Sequence, residues 1–125
     1  MTQTRLLLAD DDEMLAALLK FRLEKEGFLV DWVADGRQMK ESLNQALPEI
    51  IVSDIMMPYF SGIEMVDYVR NTLGANIPII IISTAGNETN VLSAFELGAD
   101  DFIAKPVNPT ELIIRVRKLL RSSLV

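Results

Sequence analysis

Four apolar runs in this 125-residue chain end in side chains suited to metal and phosphate chemistry. Leu6-Leu7-Leu8-Ala9 ends in Asp10, Asp11 and Asp12, and Ile50-Ile51-Val52-Ser53 ends in Asp54. Ile79-Ile80-Ile81-Ile82-Ser83 ends in Thr84, and Phe102-Ile103-Ala104 ends in Lys105-Pro106. A carboxylate at the end of a buried strand is costly unless it does something there. Ligands of open parallel sheets bind at the carboxyl ends of the strands, so acids, a hydroxyl and an amine gathered there suit a divalent cation and an anion at one rim. Acids from two strand ends can supply an octahedral magnesium site, and a further acid can act as a nucleophile through an aspartyl phosphate. Magnesium and a lysine would neutralise the transferred phosphoryl group, and a threonine hydroxyl could donate to one of its oxygens.

Those side chains need strands to deliver them and helices to cover the strands. Five short apolar runs alternate with five helical patterns. The first strand is expected at about Arg5–Ala9. A helix follows from about Glu13 to Glu26, with Leu15, Leu18, Leu19 and Leu23 on its apolar face, Asp12 as N-cap and Gly27 as its stop. Leu29–Val33 reads as a strand, with Trp32 as a packing residue. A shorter helix from about Gly36 to Ala46 stops before Pro48. Ile50–Ser53 is apolar without alternation, as in a strand covered on both faces. Ser61 is a candidate N-cap for a helix reaching about Leu73. Ile77–Ser83, a helix from about Glu88 to Leu97, the short strand Phe102–Ala104 and a helix from Thr110 to about Leu120 complete the series, with Pro109 in the last helix's first turn. The alternation argues for a doubly wound α/β sandwich around a parallel sheet.

Composition narrows the chemistry. Half of the residues are hydrophobic, enough for a real core in one domain spanning residues 1–125. With no cysteine and no histidine, disulfides, thiolate chemistry, Ser/His triads and most zinc sites are excluded. Any metal should be a hard, oxygen-liganded cation. The net charge of −6 argues against direct nucleic-acid binding by this domain alone. Its one basic cluster, Arg115, Arg117, Lys118 and Arg121, suits the solvated last turns of a helix. Met1-Thr2-Gln3-Thr4 leads straight into a strand-like run, so no signal peptide is expected. No apolar stretch approaches the roughly 20 residues of a membrane span. These features predict a cytoplasmic protein without membrane attachment.

Taken in order, the strand-end motifs resemble those of the receiver domain of bacterial two-component response regulators, the CheY-like family. Leu7-Leu8-Ala9-Asp10-Asp11-Asp12 resembles its first-strand acidic motif. Val52-Ser53-Asp54-Ile55-Met56-Met57-Pro58, followed by Ser61-Gly62, resembles its phosphoacceptor motif. Ser83-Thr84-Ala85 resembles its switch hydroxyl, and Gly98-Ala99-Asp100-Asp101-Phe102-Ile103-Ala104-Lys105-Pro106 its lysine–proline segment. Each motif alone is weak; all four in order are highly specific, and the likeness covers essentially the whole chain. It implies a flavodoxin-like (βα)5 fold with a five-stranded parallel sheet in the order 2-1-3-4-5. It also implies roles. Asp54 would take a phosphoryl group from the phosphohistidine of a sensor histidine kinase. Mg2+ would be held by Asp11, by Asp10 largely through water, by Asp54 and by the backbone carbonyl of Met56. Lys105 would pair with Asp54 and then with the phosphoryl group. Thr84 would turn inward to bond a phosphoryl oxygen, and Phe102 would rotate into the vacated space. Such a domain is a signalling module rather than an enzyme, catalysing only its own phosphorylation and dephosphorylation. Met56 and Gly86 stand where the family often carries polar groups that orient hydrolytic water, so slow self-dephosphorylation is expected.

The final third is most similar to receivers of the OmpR/PhoB winged-helix transcription-factor subfamily, through Asn108-Pro109-Thr110-Glu111-Leu112 and Arg115-Val116-Arg117-Lys118-Leu119-Leu120-Arg121. That likeness implies a phosphorylation-dependent homodimer through the fourth helix, fifth strand and fifth helix. Asp100, Asp101, Glu111 and Arg115 match its interchain ion-pair positions, whereas Asn90 and Ser122 replace expected basic residues. Residues 121–125 could begin a linker to an output domain that controls transcription. A rival reading is a stand-alone receiver that docks on a partner protein, as in chemotaxis or phosphorelays. A magnesium-dependent phosphatase of the haloacid dehalogenase type also uses an aspartyl phosphate. It would need an aspartate where Met56 stands, and the chain has little room for a cap domain.

Overall fold

In a computed structural model that describes residues 3–122, the strands are β1 (Arg5–Ala9), β2 (Leu29–Val33), β3 (Ile50–Asp54), β4 (Ile79–Ser83) and β5 (Asp101–Ala104). They form one parallel sheet in the order β2-β1-β3-β4-β5. Helices α1 (Glu13–Lys25), α2 (Gly36–Gln45), α3 (Gly62–Asp67), α4 (Glu88–Leu97) and α5 (Pro109–Ser122) make the crossovers. This is the flavodoxin-like architecture that the strand-end motifs implied.

Alternate residues of each central strand leave the sheet on opposite faces, and both sets are apolar. Leu7, Ala9, Ile51, Ile79 and Ile81 join Met39, Leu43, Met65, Val66, Val69, Val91 and Ala94 beneath α2, α3 and α4. Leu6, Leu8, Ile50, Val52, Ile80 and Ile82 join Ala16, Leu19, Leu23, Leu112, Ile113 and Val116 beneath α1 and α5. Each fully buried aliphatic side chain contributes about 1.5–3 kcal/mol relative to exposure. The unbroken apolarity of β3 and β4 follows directly, because neither strand has a wet face.

Helix ends follow local chemistry. Asp12 caps α1 by accepting from the N–H groups of Met14 and Leu15, and Asp35 caps α2 by accepting from Gln38. Ser61 and Glu64 form a reciprocal capping box at α3. Gly98 ends α4 in the left-handed region, at φ 118°.

Four local expectations change. On α1 the buried stripe is Ala16, Leu19 and Leu23, which leaves Leu18 exposed beside Met14 and Phe21. The helix after Ser61 runs as α-helix only to Asp67 and continues as a π-helical segment, Tyr68–Thr72. β4 begins at Ile79, after Pro78, a residue that has no N–H for a ladder. Arg121 and Ser122, read as the start of a linker, are the last residues of α5, whereas residues 123–125 lie outside the described residues. No described helix is long and apolar enough to cross a membrane.

Candidate functional site

Register brings the chemistry together. Ala9 pairs with Ser53 and with Val33, so Asp10 and Asp54 leave neighbouring strands side by side. Asp54 pairs with Ile82, and Ser83 pairs with Ala104, which sets Thr84 and Lys105 at the same rim. Asp10, Asp11 and Asp54 each direct a carboxylate oxygen to one place, within 4.8 Å of one another. Asp10 and Asp54 are buried, and Asp11 is exposed.

Both oxygens of Asp54 are engaged. The Met56 N–H donates to Oδ1 at 3.0 Å, and Lys105 Nζ donates to Oδ2 at 2.6 Å. Asp10 Oδ1 accepts from the Asp12 N–H at 2.8 Å. Its Oδ2 is buried without a hydrogen-bond partner among the described residues, with Lys105 Nζ 3.5 Å away, close enough for attraction but long for a good hydrogen bond. Burial pushes the Asp10 carboxyl above the ordinary aspartate value; Asp54 and Asp11 add to the rise, and the Asp12 N–H and Lys105 oppose it. Burial pulls the Lys105 ammonium down, but the Asp54 hydrogen bond and the charges of Asp54 and Asp10 outweigh it, so the lysine is held above its usual value.

An orphaned, fully buried carboxylate oxygen facing two more carboxylates fits a hard divalent cation. The cation would supply the missing partner and reverse the repulsion. Lys105 alone cannot balance three acids. The Lys105–Pro106 peptide is cis.

The remaining predicted site residues lie around this cluster. Thr84 is exposed, and its hydroxyl accepts from Asn87 Nδ2 at 3.1 Å. Phe102 is half-buried and, with Thr84, Val91, Leu92 and Lys105, lines an apolar groove of about 480 Å³ between α4 and β5. The Met56 side chain is exposed, and Gly86 turns at φ 96°. The four charged residues of the expected dimer face are all paired inside the chain. Asp100 Oδ2 accepts from Arg70 and from the Ile79 N–H, Asp101 takes two bonds from Arg115, and Glu111 takes one.

Two features escaped the sequence reading. Trp32 packs against the α1–α5 side of the core as expected, but its Nε1–H also donates to the Asp10 carbonyl at 2.9 Å. That contact depends on the β1–β2 register, which one-dimensional periodicity does not reveal. The loop after Asp54 is fastened to α2: the Gly36 N–H donates to the Pro58 carbonyl at 2.9 Å, and Arg37 stacks 3.8 Å over the ring of Tyr59. A glycine at a helix start was the only available signal.

A doubly wound sheet with three acids and a lysine at its carboxyl edge has the architecture of a phosphorelay receiver. The match to known proteins agrees. Residues 6–117 match the model of the response regulator receiver domain, and the chain belongs to that family. It is 40% identical over 119 residues to the transcriptional regulatory protein CpxR of Escherichia coli strain K12, covering 95% of this chain and 50% of that one. To the phosphate regulon regulatory protein PhoB of Rhizobium meliloti it is 35% identical over 118 residues, covering 94% and 52%. The chain thus spans about half the length of these relatives. Among solved structures, the receiver domain of the Francisella response regulator 1452 superposes with a TM-score of 0.87 at 32% identity, covering 97% of this chain and 99% of that one. Full-length FixJ from B. japonicum gives 0.88 at 28%, covering 97% and 59%. The chain is therefore a receiver domain of two-component response regulators, a signalling domain.

Proposed function

We propose that Asp54 is the phosphoacceptor of this receiver, that the reaction requires Mg2+, and that the phosphoryl donor is the phosphohistidine of a sensor histidine kinase. The observation that carries this reading is the convergence of Asp10, Asp11 and Asp54 around a buried carboxylate oxygen that has no hydrogen-bond partner among the described residues, with Lys105 bonded to Asp54 at 2.6 Å. Asp10, Asp11 and Asp54, with the Met56 backbone carbonyl, would hold the cation. Bound Mg2+ would neutralise charge on the phosphoryl oxygens. Asp54 supplies the attacking oxygen. Lys105 holds Asp54 in place and then turns to the incoming phosphoryl oxygens, a role its three donors and compact charge allow. Thr84 gives up Asn87 to donate to a phosphoryl oxygen, and Phe102 moves along the groove they share.

The domain is residues 1–125, acting in the cytoplasm, and it catalyses only its own phosphorylation and dephosphorylation. It does not bind nucleic acid by itself; transcription would be controlled by an output domain elsewhere in the full protein, as the relatives' names and their double length suggest. Phosphorylation would drive homodimerisation through α4, β5 and α5. Leu92, Phe95 and Ile114 are exposed on these elements and could form an apolar centre. Asp100, Asp101, Glu111 and Arg115 would exchange their intrachain partners for interchain ones. Such exposed pairs contribute about 0–1 kcal/mol each, so the exchange costs little.

The test is solution mass by light scattering, with magnesium, before and after adding beryllofluoride as a mimic of the aspartyl phosphoryl group. A monomer that becomes a dimer, and fails to do so as Asp54→Ala, is the expected result. A monomer unchanged by the mimic would overturn the dimer and favour docking on a partner protein.

A further inference from the structure

We propose that Trp32, outside the acidic cluster, is a positioning residue for the cation site. The inference rests on the reading of Asp10, Asp11 and Asp54 as cation ligands. Trp32 is the chain's single tryptophan and lies on the edge strand β2, opposite Leu8 of β1. From there its indole reaches two residues along the neighbouring strand and donates to the Asp10 carbonyl at 2.9 Å. The Val33 carbonyl accepts from the Asp10 N–H at 3.2 Å. Asp10 Oδ1 accepts from the Asp12 N–H at 2.8 Å, and Asp12 is itself fixed as the N-cap of α1.

The backbone on either side of Asp11 is thus tied at both ends. The bond from Trp32 matters most for Asp11, because the Asp10 carbonyl belongs to the peptide unit joining the two acids. Fixing that plane fixes where the Asp11 Cα leaves the strand end, and hence where its exposed carboxylate can reach. Without the indole N–H the peptide could tilt, and the cation would have to order it on binding. A ligand set held in advance binds more tightly than one that must be ordered. The second strand contributes no side chain to the cluster, yet through Trp32 and Val33 it holds the backbone that does.

Removing one such hydrogen bond should weaken Mg2+ binding about three- to tenfold. The test uses Mg2+ alone as probe. Its affinity is measured by calorimetry for the parent and for Trp32→Phe, with Asp11→Asn as control. In parallel, the indole N–H resonance of the parent, unique in the spectrum, is followed through the same titration. Weaker binding by Trp32→Phe, together with an indole resonance that shifts at the midpoint of the Asp11 amide, is expected. An affinity unchanged in Trp32→Phe overturns the role of Trp32 and leaves the cation site standing. If that variant does not fold, an indole resonance that stays still while the Asp11 amide saturates overturns the role equally. A parent protein that binds no Mg2+ sinks the cation reading and this inference with it.

Discussion

At the residue scale the site is a set of conflicts held in check. Asp10 is buried beside two other carboxylates, and its carboxyl is raised above the ordinary 3.8, by burial first and then by its acidic neighbours. An acid raised in the folded state holds its proton more tightly folded than unfolded. Its contribution is therefore most favourable below pH 3.8, and stability falls as pH rises through the raised value. Metal-free Asp10→Asn should accordingly be more stable than the parent at neutral pH in urea denaturation. Equal or lower stability would mean that Lys105 already balances Asp10. Lys105 acts at the other end of the scale: its contribution is present below pH 10.5 and lost as pH climbs through its raised folded value. Met56 bears on the expected slow self-dephosphorylation. Its exposed thioether beside Asp54 can orient no water, and Gly86 has no side chain to help. Met56→Asn should shorten the lifetime of the phosphorylated protein several-fold. Decay no faster than the parent's would count against Met56 as a source of the slow self-dephosphorylation expected from the sequence.

At the element scale, the loop between β3 and α3 must be held still if it is to present Asp54 and the Met56 backbone. Packing achieves this. A Cβ on Gly36 would lie 2.1 Å from the Phe60 Cβ and 2.6 Å from the Phe60 nitrogen, so the start of α2 meets the loop at bare-backbone distance. Tyr59 is held at φ 71°, a region non-glycine residues rarely enter, under the Arg37 guanidinium. Gly36→Ala should cost about 1–3 kcal/mol of stability in urea denaturation, because either α2 or the loop must shift. A neutral substitution would show that the loop is free to move. Beyond the glycine itself, nothing in the sequence pattern around Asp35-Gly36-Arg37 points to this contact, since its partner lies on a different crossover. The strands, by contrast, were legible to within two residues; β3 and β4 stood out because doubly covered strands must be apolar throughout. The π-helical segment was not. It closes through bonds such as Leu73 N–H to the Tyr68 carbonyl at 2.9 Å. It is braced by Arg70, whose guanidinium donates to the carbonyls of Ala75, Ile77 and Gly98. The exposed Leu18 was misread for a related reason: a helix rich in leucine offers more apolar positions than one face can bury.

At the scale of the whole molecule, one sheet order explains why residues far apart in sequence share a rim. Asp10, Asp54, Thr84 and Lys105 could be chosen from the sequence because each ends an apolar run, and a parallel sheet turns all such ends the same way. Their pairing inside the site could be read only as far as charge allows. The family resemblance implied the pairing of Lys105 with Asp54, but neither charge nor resemblance disclosed the orphaned oxygen of Asp10 or the indole behind it. The charged face of β5 and α5 was legible as residue types and not as partners, since a charged side chain can pair within its own chain or across an interface. Arg115 does the former, with Asp101 at 2.8 Å and Glu111 at 3.1 Å. The proposed role of the rim is to put a phosphoryl group on one carboxylate. Its most direct test is chemical mapping. The protein is incubated with acetyl phosphate and magnesium, so that Asp54 attacks phosphorus and acetate leaves, and is then reduced with borohydride, which converts an aspartyl phosphate to homoserine. Peptide mass spectrometry should find homoserine at position 54 alone, and only when magnesium is present. Homoserine at another acid, or none at position 54 under conditions where the protein is folded and magnesium is bound, would contradict the account.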